Sequence, residues 1–292
     1  MQKPIYSICI YNFNMSNTLE ISLKSILDQI DDRFEVIVVD DGSTDTSLNI
    51  LFRIKSHYKQ LRIIPLIRDR RRKLGETRNI SIRAARGKYV ILHIDADDFW
   101  DPFIKSYVKV YHELEQRLNF FDFMLSGKQI NMSSRKLLLE NPYPNIYYGE
   151  DRYLFNDLAV IGKIIVLDHK VFRKRLNLSR NQKFLKLINS QFSLLFASFK
   201  FAPNPSCLLK TYLIDILLKK KLSFKYAVLN LFFIFPIYIY VMVFPEDGFK
   251  NIYRADFKSQ LILNLSNLEY QTKNSHGLFE LNKEERNIFY LK

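Results

Sequence analysis

The chain has only two cysteines in 292 residues, Cys9 and Cys207. That excludes a disulfide framework and a cysteine-spaced zinc site, and it agrees with a reducing compartment. Glycine is scarce at eight residues, and the segment after the first apolar run, Asn12-Phe13-Asn14-Met15-Ser16, contains none. A glycine-rich phosphate loop, with which nucleotidyltransferases usually open, is therefore missing. Tryptophan occurs once, as Trp100. No charged-then-apolar pattern marks the N-terminus, so export is not expected. Internal repeats and low-complexity segments are absent. Acid is in the minority: 30 Asp and Glu against 44 Lys and Arg leave a formal charge of +14. Such a balance favours anionic partners, whether phosphates, nucleic acid or an acidic membrane face. An apolar content of 48% supports a sizeable core.

What is present first is alternation. Apolar, β-rich runs at Ile5–Ile10, Phe34–Val39, Leu61–Ile67 and Tyr89–Ile94 read as strands. Helical stretches at 17–30, 44–57 and 76–85 lie between them, and 101–118 follows. This spacing predicts βαβ units and a mainly parallel α/β sheet. Cys9 falls inside the first strand and reads as a small core residue.

Two of these strands end in acid. Tyr89–Ile94 runs into Asp95-Ala96-Asp97-Asp98, and Phe34–Val39 into Asp40-Asp41-Gly42-Ser43. Ligand crevices of open α/β sheets lie outside the carboxyl ends of the strands. Carboxylates crowded there repel one another unless something positive sits among them. A divalent cation is the simplest answer, and hard oxygen ligands suit Mg²⁺ or Mn²⁺, ions that also hold substrate phosphates. A metal–diphosphate ligand is the expectation. Gly42 permits a tight turn, and Ser43, Thr44 or Asp45 can cap the next helix.

Five motifs in order carry a resemblance over about the first 100 residues: Ser7-Ile8-Cys9-Ile10 with Asn14, then Phe34 to Ser43, Arg78-Asn79, Ala85-Arg86-Gly87-Lys88-Tyr89-Val90, and Asp95-Ala96-Asp97-Asp98. Together they resemble a family-2 glycosyltransferase of the GT-A fold. The resemblance implies an inverting, metal-assisted transfer of a sugar from a nucleotide-diphospho-sugar. It implies that Asp40 contacts the nucleobase, Asp95 the ribose side and the metal, and Asp97 the metal. Asn12, Asn14, Asp41 and Arg78 complete the expected donor set, with Arg78 a structural or diphosphate contact. The sequence departs from the family in Tyr11-Asn12-Phe13-Asn14, where Pro-Thr-Tyr-Asn is usual, and in Ser81, where a glycine is usual. The segment before Arg78 is unusually basic, with Arg68, Arg70, Arg71, Arg72 and Lys73 either gripping phosphate or forming a solvated loop.

Displacement at an anomeric carbon needs a base for the acceptor hydroxyl. Gly149-Glu150-Asp151 resembles the family's Glu-Asp motif, which makes Asp151 the expected base, with Glu150 and then Asp157 behind it. A helix N-terminus stabilises an ionised carboxylate. The alternative is an ordinary acidic first turn. Trp100 is a candidate for stacking on the acceptor sugar, and His169 a conceivable metal ligand. His93 would face the core or the nucleotide, and His57, His112 and His276 the surface.

Seven basic residues between His169 and Lys186, Arg173 and Arg175 among them, could border the acceptor. The character changes near Pro203. Residues 206–221 form an amphipathic helix ending in three lysines, and Tyr226–Pro245 is uncharged, with Pro236 expected to interrupt it and kink a helix there. Twenty such residues can lie in the interface, cross a bilayer or pack as a core helix. The expected organisation is a GT-A domain over 1–205, membrane-associating helices over 206–245 and an unassigned polar tail over 246–292. The expected acceptor is a glycan or a lipid-linked sugar at the cytoplasmic face of a membrane, and no nucleic acid is expected. Two rivals remain, a nucleotidyltransferase and a basic protein that binds nucleic acid or anionic membrane.

Overall fold

The computed structural model describes residues 3–146, 149–176, 204–217, 224–244 and 280–290. Scattered positions between 187 and 199, and residues 262, 263 and 265, are also described. Arg180, Lys183, Lys186, the lysines at 219–221 and His276 lie outside this set.

Apolar runs and their helical spacers give β1 (Tyr6–Asn12), α1 (Ser16–Leu27), β2 (Phe34–Asp40), α2 (Ser47–His57), β3 (Leu61–Pro65), α3 (Leu74–Ala84) and β4 (Tyr89–Asp95). Then follow β5 (Asp98–Trp100), α4 (Ile104–Arg117), β6 (Met124–Ser126), β7 (Asn131–Ser134), α5 (Arg135–Glu140), α6 (Glu150–Val160), β8 (Ile164–Leu167) and β9 (Arg173–Arg175). Near the C-terminus lie α7 (Pro205–Leu217), α8 (Phe224–Val243), β10 (Ile262–Leu263) and α9 (Lys283–Phe289).

Eight strands form one sheet in the order β10-β8-β6-β7-β4-β1-β2-β3, parallel except where β7 meets β4 and β6. β1 and β2 are buried along nearly their whole length inside the sheet, which is why they read as mainly apolar runs, whereas β3 at the sheet edge is half-open. On α1, Leu19, Leu23, Ile26 and Leu27 recur at helical spacing and are buried on the sheet. The chain reverses direction across the sheet between β1 and β4, and β1 sits between β4 and β2. Their carboxyl ends align: Asn12 opposes Asp40, and Tyr11 opposes Asp95. That topological switch point is where ligands of open α/β sheets bind.

A register shift between Ile8 and Ile10 against β4 absorbs one extra residue. His93 takes it up with a φ of +63°. This bulge brings Asp95 level with Tyr11 at the sheet edge.

Two features of the C-terminal third stand out against the sequence reading. α7 and α8 pack on each other through a small separate core that includes Ile216, Ile234, Ile237 and Val241, and α8 runs through Pro236 without interruption. The unassigned tail returns to the main domain: Leu265, Leu281 and Phe289 belong to its largest core cluster. β10 pairs with β8, and a capping box at Asn282 and Glu285 starts α9.

Candidate functional site

The acid loop between β4 and β5 is held from one side by α1. Thr18 Oγ1 donates to the Ala96 carbonyl at 2.9 Å and Ser22 Oγ to the Asp95 carbonyl at 3.1 Å. Ser25 Oγ accepts from the Trp100 N–H at 3.1 Å, and Gln29 Oε1 from the Ile104 N–H at 3.0 Å. Thr18, Ser22 and Ser25 recur every three or four residues as a polar stripe along one face of α1, and Gln29 just past its end continues that spacing. That stripe fixes the backbone from Asp95 to Ile104. A 3.6-residue polar period beside the apolar one was the signal available in the sequence.

The carboxylates of Asp95, Asp97 and Asp98 offer oxygens that all lie within 4.8 Å of one another. Asp97 and Asp98 are buried, and Asp95 is partly open. Positive charge does sit among them, and it comes from the protein. β9 pairs antiparallel with β5, placing Arg175 opposite Asp98 and Arg173 opposite Trp100. Arg173 pairs with Asp98. Arg175 reaches Asp97 at 3.2 Å and Asp95 and Asp98 at 3.4 Å each. Burial lifts the Asp98 carboxyl above the usual carboxylate range, with Arg173 pulling against it. Asp98 Oδ2 is buried without a hydrogen-bond partner. The oxygen donor set and this orphaned carboxylate oxygen fit a hard divalent cation, for which Asp95 is the most open of the three ligands.

At the end of β2, Asp40 is fully buried. It accepts from Asn12 Nδ2 at 2.6 Å, Ser43 Oγ at 2.6 Å and the Ser43 N–H at 2.9 Å. Asn14 lies exposed above it with a φ of +54°, and its Oδ1 accepts from the Thr44 N–H at 2.8 Å. Asp41 is gripped by Arg68 and Arg72, and the Arg68 guanidinium lies 4.2 Å over the Phe13 ring. The basic run thus divides. Arg68 and Arg72 close over Asp41, whereas Arg70 and Arg71 are more open, with the Arg71 side chain fully at the surface.

Across the sheet edge lies the start of α6. Gly149 precedes it in the left-handed region at φ +79°. Glu150 is buried and accepts from Arg78 Nε at 3.0 Å. Burial pushes the Glu150 carboxyl up to about 7, with Arg78 opposing and Asp151 adding to the rise. Burial works against the Arg78 charge, but Glu150, Tyr143, Asp95 and Asp151 hold the guanidinium firmly protonated. Arg78 thus lies within the electrostatic reach of both the acid loop and α6. Its neighbour Asn79 clamps the approach to α6, accepting from the Tyr143 N–H at 2.9 Å and donating to the Tyr143 carbonyl at 2.8 Å. Gly75 lets the same segment come close, since a Cβ there would stand 1.8 Å from the Pro144 oxygen. Asp151 is half-open to solvent at the N-terminus of α6, and Asp157 is exposed further along.

His93 sits beneath this cleft. Burial, then Arg78, pushes its imidazole down to about 3, so the ring is neutral. Asn131 Nδ2 stands 2.7 Å from Nδ1 and Tyr143 Oη 3.2 Å from Nε2. With the amide donating to Nδ1, the proton belongs on Nε2 and points to the tyrosine.

Three sequence expectations are corrected. Trp100 is only 2% exposed, under Phe172 with ring centroids 5.7 Å apart, so no acceptor can stack on it. His169 is fully buried away from the acid cluster: its Nε2 accepts from the Lys128 N–H at 2.8 Å, and Nδ1 faces the Lys170 carbonyl. His112 is no surface residue. It lies half-buried among Tyr6, Tyr89 and Tyr111, with Nε2 2.9 Å from Tyr6 Oη.

The sequence profile of Glycosyl transferase family 2 matches residues 7–176, more than half of the 292. The chain belongs to that family. The matched span covers the acid loop, the α6 motif and β9. Among curated relatives, the chondroitin synthase of Escherichia coli is 35% identical over 99 residues, 34% of this chain and 14% of that protein. The Escherichia coli UDP-Glc:alpha-D-GlcNAc-diphosphoundecaprenol beta-1,3-glucosyltransferase WfaP is 31% identical over 96 residues, 33% of this chain and 36% of that protein. The matches thus span well under two thirds of these relatives. Among solved structures, the mannosyltransferase PcManGT of Pyrobaculum calidifontis, determined with GDP-Man and Mn²⁺, aligns at TM-score 0.56 and 16% identity, over 98% of this chain and 88% of that one. Residues 1–349 of S. aureus TarS with UDP-GlcNAc align at TM-score 0.50 and 19% identity, over 60% and 59%. These likenesses establish the GT-A fold.

Proposed function

We propose that this chain is an inverting glycosyltransferase that moves a sugar from a nucleotide-diphospho-sugar to a hydroxyl of a glycan or lipid-linked acceptor at a membrane surface. The observation that carries the reading is the shared cleft. Asp95 at the end of β4 and the acids of the α6 N-terminus act on the same Arg78, and Asn12 and Asp40 end the neighbouring strands beside Asp95.

Asp151 is the base in this reading. Its half-open position at a helix N-terminus lets an acceptor hydroxyl reach it, whereas Glu150 is buried and committed to Arg78. Glu150 then positions the first turn of α6. The exposed Asn14 above the buried Asp40–Asn12 pair marks the edge that receives the nucleoside, Asp40 and Asn12 shaping it from beneath, and Arg68 on Phe13 walls it. Asp95 and Asp97 would hold Mg²⁺ or Mn²⁺, which neutralises charge on the leaving diphosphate. The acceptor proton passes to Asp151 as the new glycosidic bond forms at the face opposite the departing phosphate.

The membrane part of the reading rests on α8. It is the one helix among the described residues long and apolar enough to cross a membrane, and only 22% of its most apolar stretch is buried. Phe232, Ile239 and Val243 along it, and Phe244 just past its end, are 59–72% exposed. An interfacial or membrane-inserted α7–α8 hairpin covers these side chains and puts the site at the cytoplasmic face. The name of WfaP, with its diphosphoundecaprenol acceptor, supports a lipid-linked sugar.

The test is a panel of nucleotide-sugars with Mn²⁺, Mg²⁺ or EDTA, run on protein in mild detergent beside Asp97→Ala and Asp151→Asn. Metal-dependent binding of one donor, lost in Asp97→Ala, is expected. Asp151→Asn should keep that binding and lose about 10²–10⁴-fold in turnover. Absence of metal-dependent binding to every donor would sink the enzyme reading and favour a basic binding protein.

A further inference from the structure

The acid loop already has its cation, and that raises a question of competition. Three carboxylates face two guanidiniums here, but the two arginines are not equivalent. Arg173 is 15% exposed and bonded to Asp98, which is itself sealed from solvent. Arg175 is 42% exposed and spread over three carboxylates at 3.2–3.4 Å. It holds Asp97 Oδ1 and Asp95 Oδ2, oxygens that a divalent cation would need.

Arg173 and Arg175 lie two residues apart on β9 and share the face toward Asp98, while Lys174 points the other way, 3.6 Å from Asp101. β9 is pinned by its pairing with β5 and by the Leu176 N–H, which donates to the Asp97 carbonyl at 2.8 Å. The backbone is therefore fixed, and the long Arg175 side chain is the part free to leave.

Resting on the donor-site reading above, we propose that Arg175 is a resident counter-ion that bars bare divalent cations from Asp95 and Asp97 and yields only to a metal arriving with a diphosphate. A lone metal ion must take Asp95 and Asp97 from the guanidinium and leave it only the sealed Asp98, which Arg173 already holds. A metal–diphosphate brings its own acceptor, because the planar guanidinium fork matches phosphate oxygens bidentately. Metal and nucleotide binding are then positively coupled, and by linkage each tightens the other by the same factor.

The experiment is Mn²⁺ titration by EPR, without nucleotide and with saturating UDP or GDP, on wild type, Arg175→Gln and Arg175→Lys. Wild type should bind Mn²⁺ alone weakly and at least tenfold more tightly with the matching nucleotide. Arg175→Gln should bind Mn²⁺ alone at least tenfold more tightly than wild type and lose most of the nucleotide effect. Arg175→Lys keeps the charge and should still resist bare Mn²⁺. Bare Mn²⁺ affinity unchanged or weaker in Arg175→Gln overturns the proposal. So does wild type that binds Mn²⁺ equally well with and without nucleotide, a result that needs no variant to fold. If Mn²⁺ binds no form under any condition, the donor-site reading falls as well, and the two failures are told apart.

Discussion

Glu150 offers the sharpest test of how the cleft is built. Its carboxyl is moved from an ordinary 4.5 to about 7, mainly by burial, even with Arg78 at 3.0 Å. That displacement corresponds to about 3 kcal/mol. Below about pH 4.5 the group is protonated in folded and unfolded chains alike and costs nothing. Above about pH 7 it is ionised in both, and only the folded chain suffers the desolvation. Its stabilising contribution is thus present below 4.5 and lost as pH rises through about 7. His93 and His169, pushed down to about 3 and about 4 by burial, act in the opposite sense. The unfolded chain takes up protons that they refuse, so they add stability as pH climbs toward 6.5. The whole-protein profile therefore mixes both signs. The difference between wild type and Glu150→Gln cancels the histidines. Urea melts followed by fluorescence of the buried Trp100, at several values between about pH 4.5 and pH 7.5, measure it. Wild type should lose about 3 kcal/mol relative to Glu150→Gln across that window. A difference that stays flat with pH refutes the claim that burial governs this carboxylate.

Two further changes probe the frame around the cleft. Gly75→Ala drives a Cβ to 1.8 Å from the Pro144 oxygen, so α3 and the segment leading to α6 must part. A loss of about 1–3 kcal/mol in urea melts is expected, together with weaker coupling between Arg78 and Glu150, read as a shift in the pH profile just described. Phe289→Ala empties a fully buried place against Tyr107, His169 and Phe172. A loss of about 3–5 kcal/mol is expected; a Tm unchanged from wild type would mean that the C-terminal segment does not dock on the sheet.

The sheet was legible because its evidence is local. β2 and β4 are apolar but for Glu35 and His93 and both end in acid, and a run buried on both faces needs no partner to be recognised as a strand. The helix between two such runs follows from its period. Asn79 shows the limit. Arg78-Asn79 could be picked out as a motif, but the two residues divide into a carboxylate partner and a backbone clamp only once Tyr143 and Glu150 fold beside them. Their partners lie 64 and 72 residues away in sequence. Trp100 failed for a related reason. A residue next to functional acids invites a functional role, yet β5 alternates, so Asp98 and Trp100 are buried while Phe99 between them is turned toward solvent.

The acid loop carries the same lesson into chemistry. Like charges at a strand end require a counter-charge, and that much follows from electrostatics alone. Electrostatics does not say whether the counter-charge is bound or built in. Arg173 and Arg175 lie 75 to 80 residues beyond the acids they meet, inside a basic run that reads equally well as a solvated rim. Only the β5–β9 pairing turns two of those cations inward. The arrangement has a consequence for order. A site whose three carboxylates are already met by two guanidiniums has less need of a free metal, and a diphosphate beside it adds the negative charge that favours the ion's entry. On the proposed coupling, donor and metal arrive as one ligand, and Arg173 and Arg175 hold the carboxylates in the meantime.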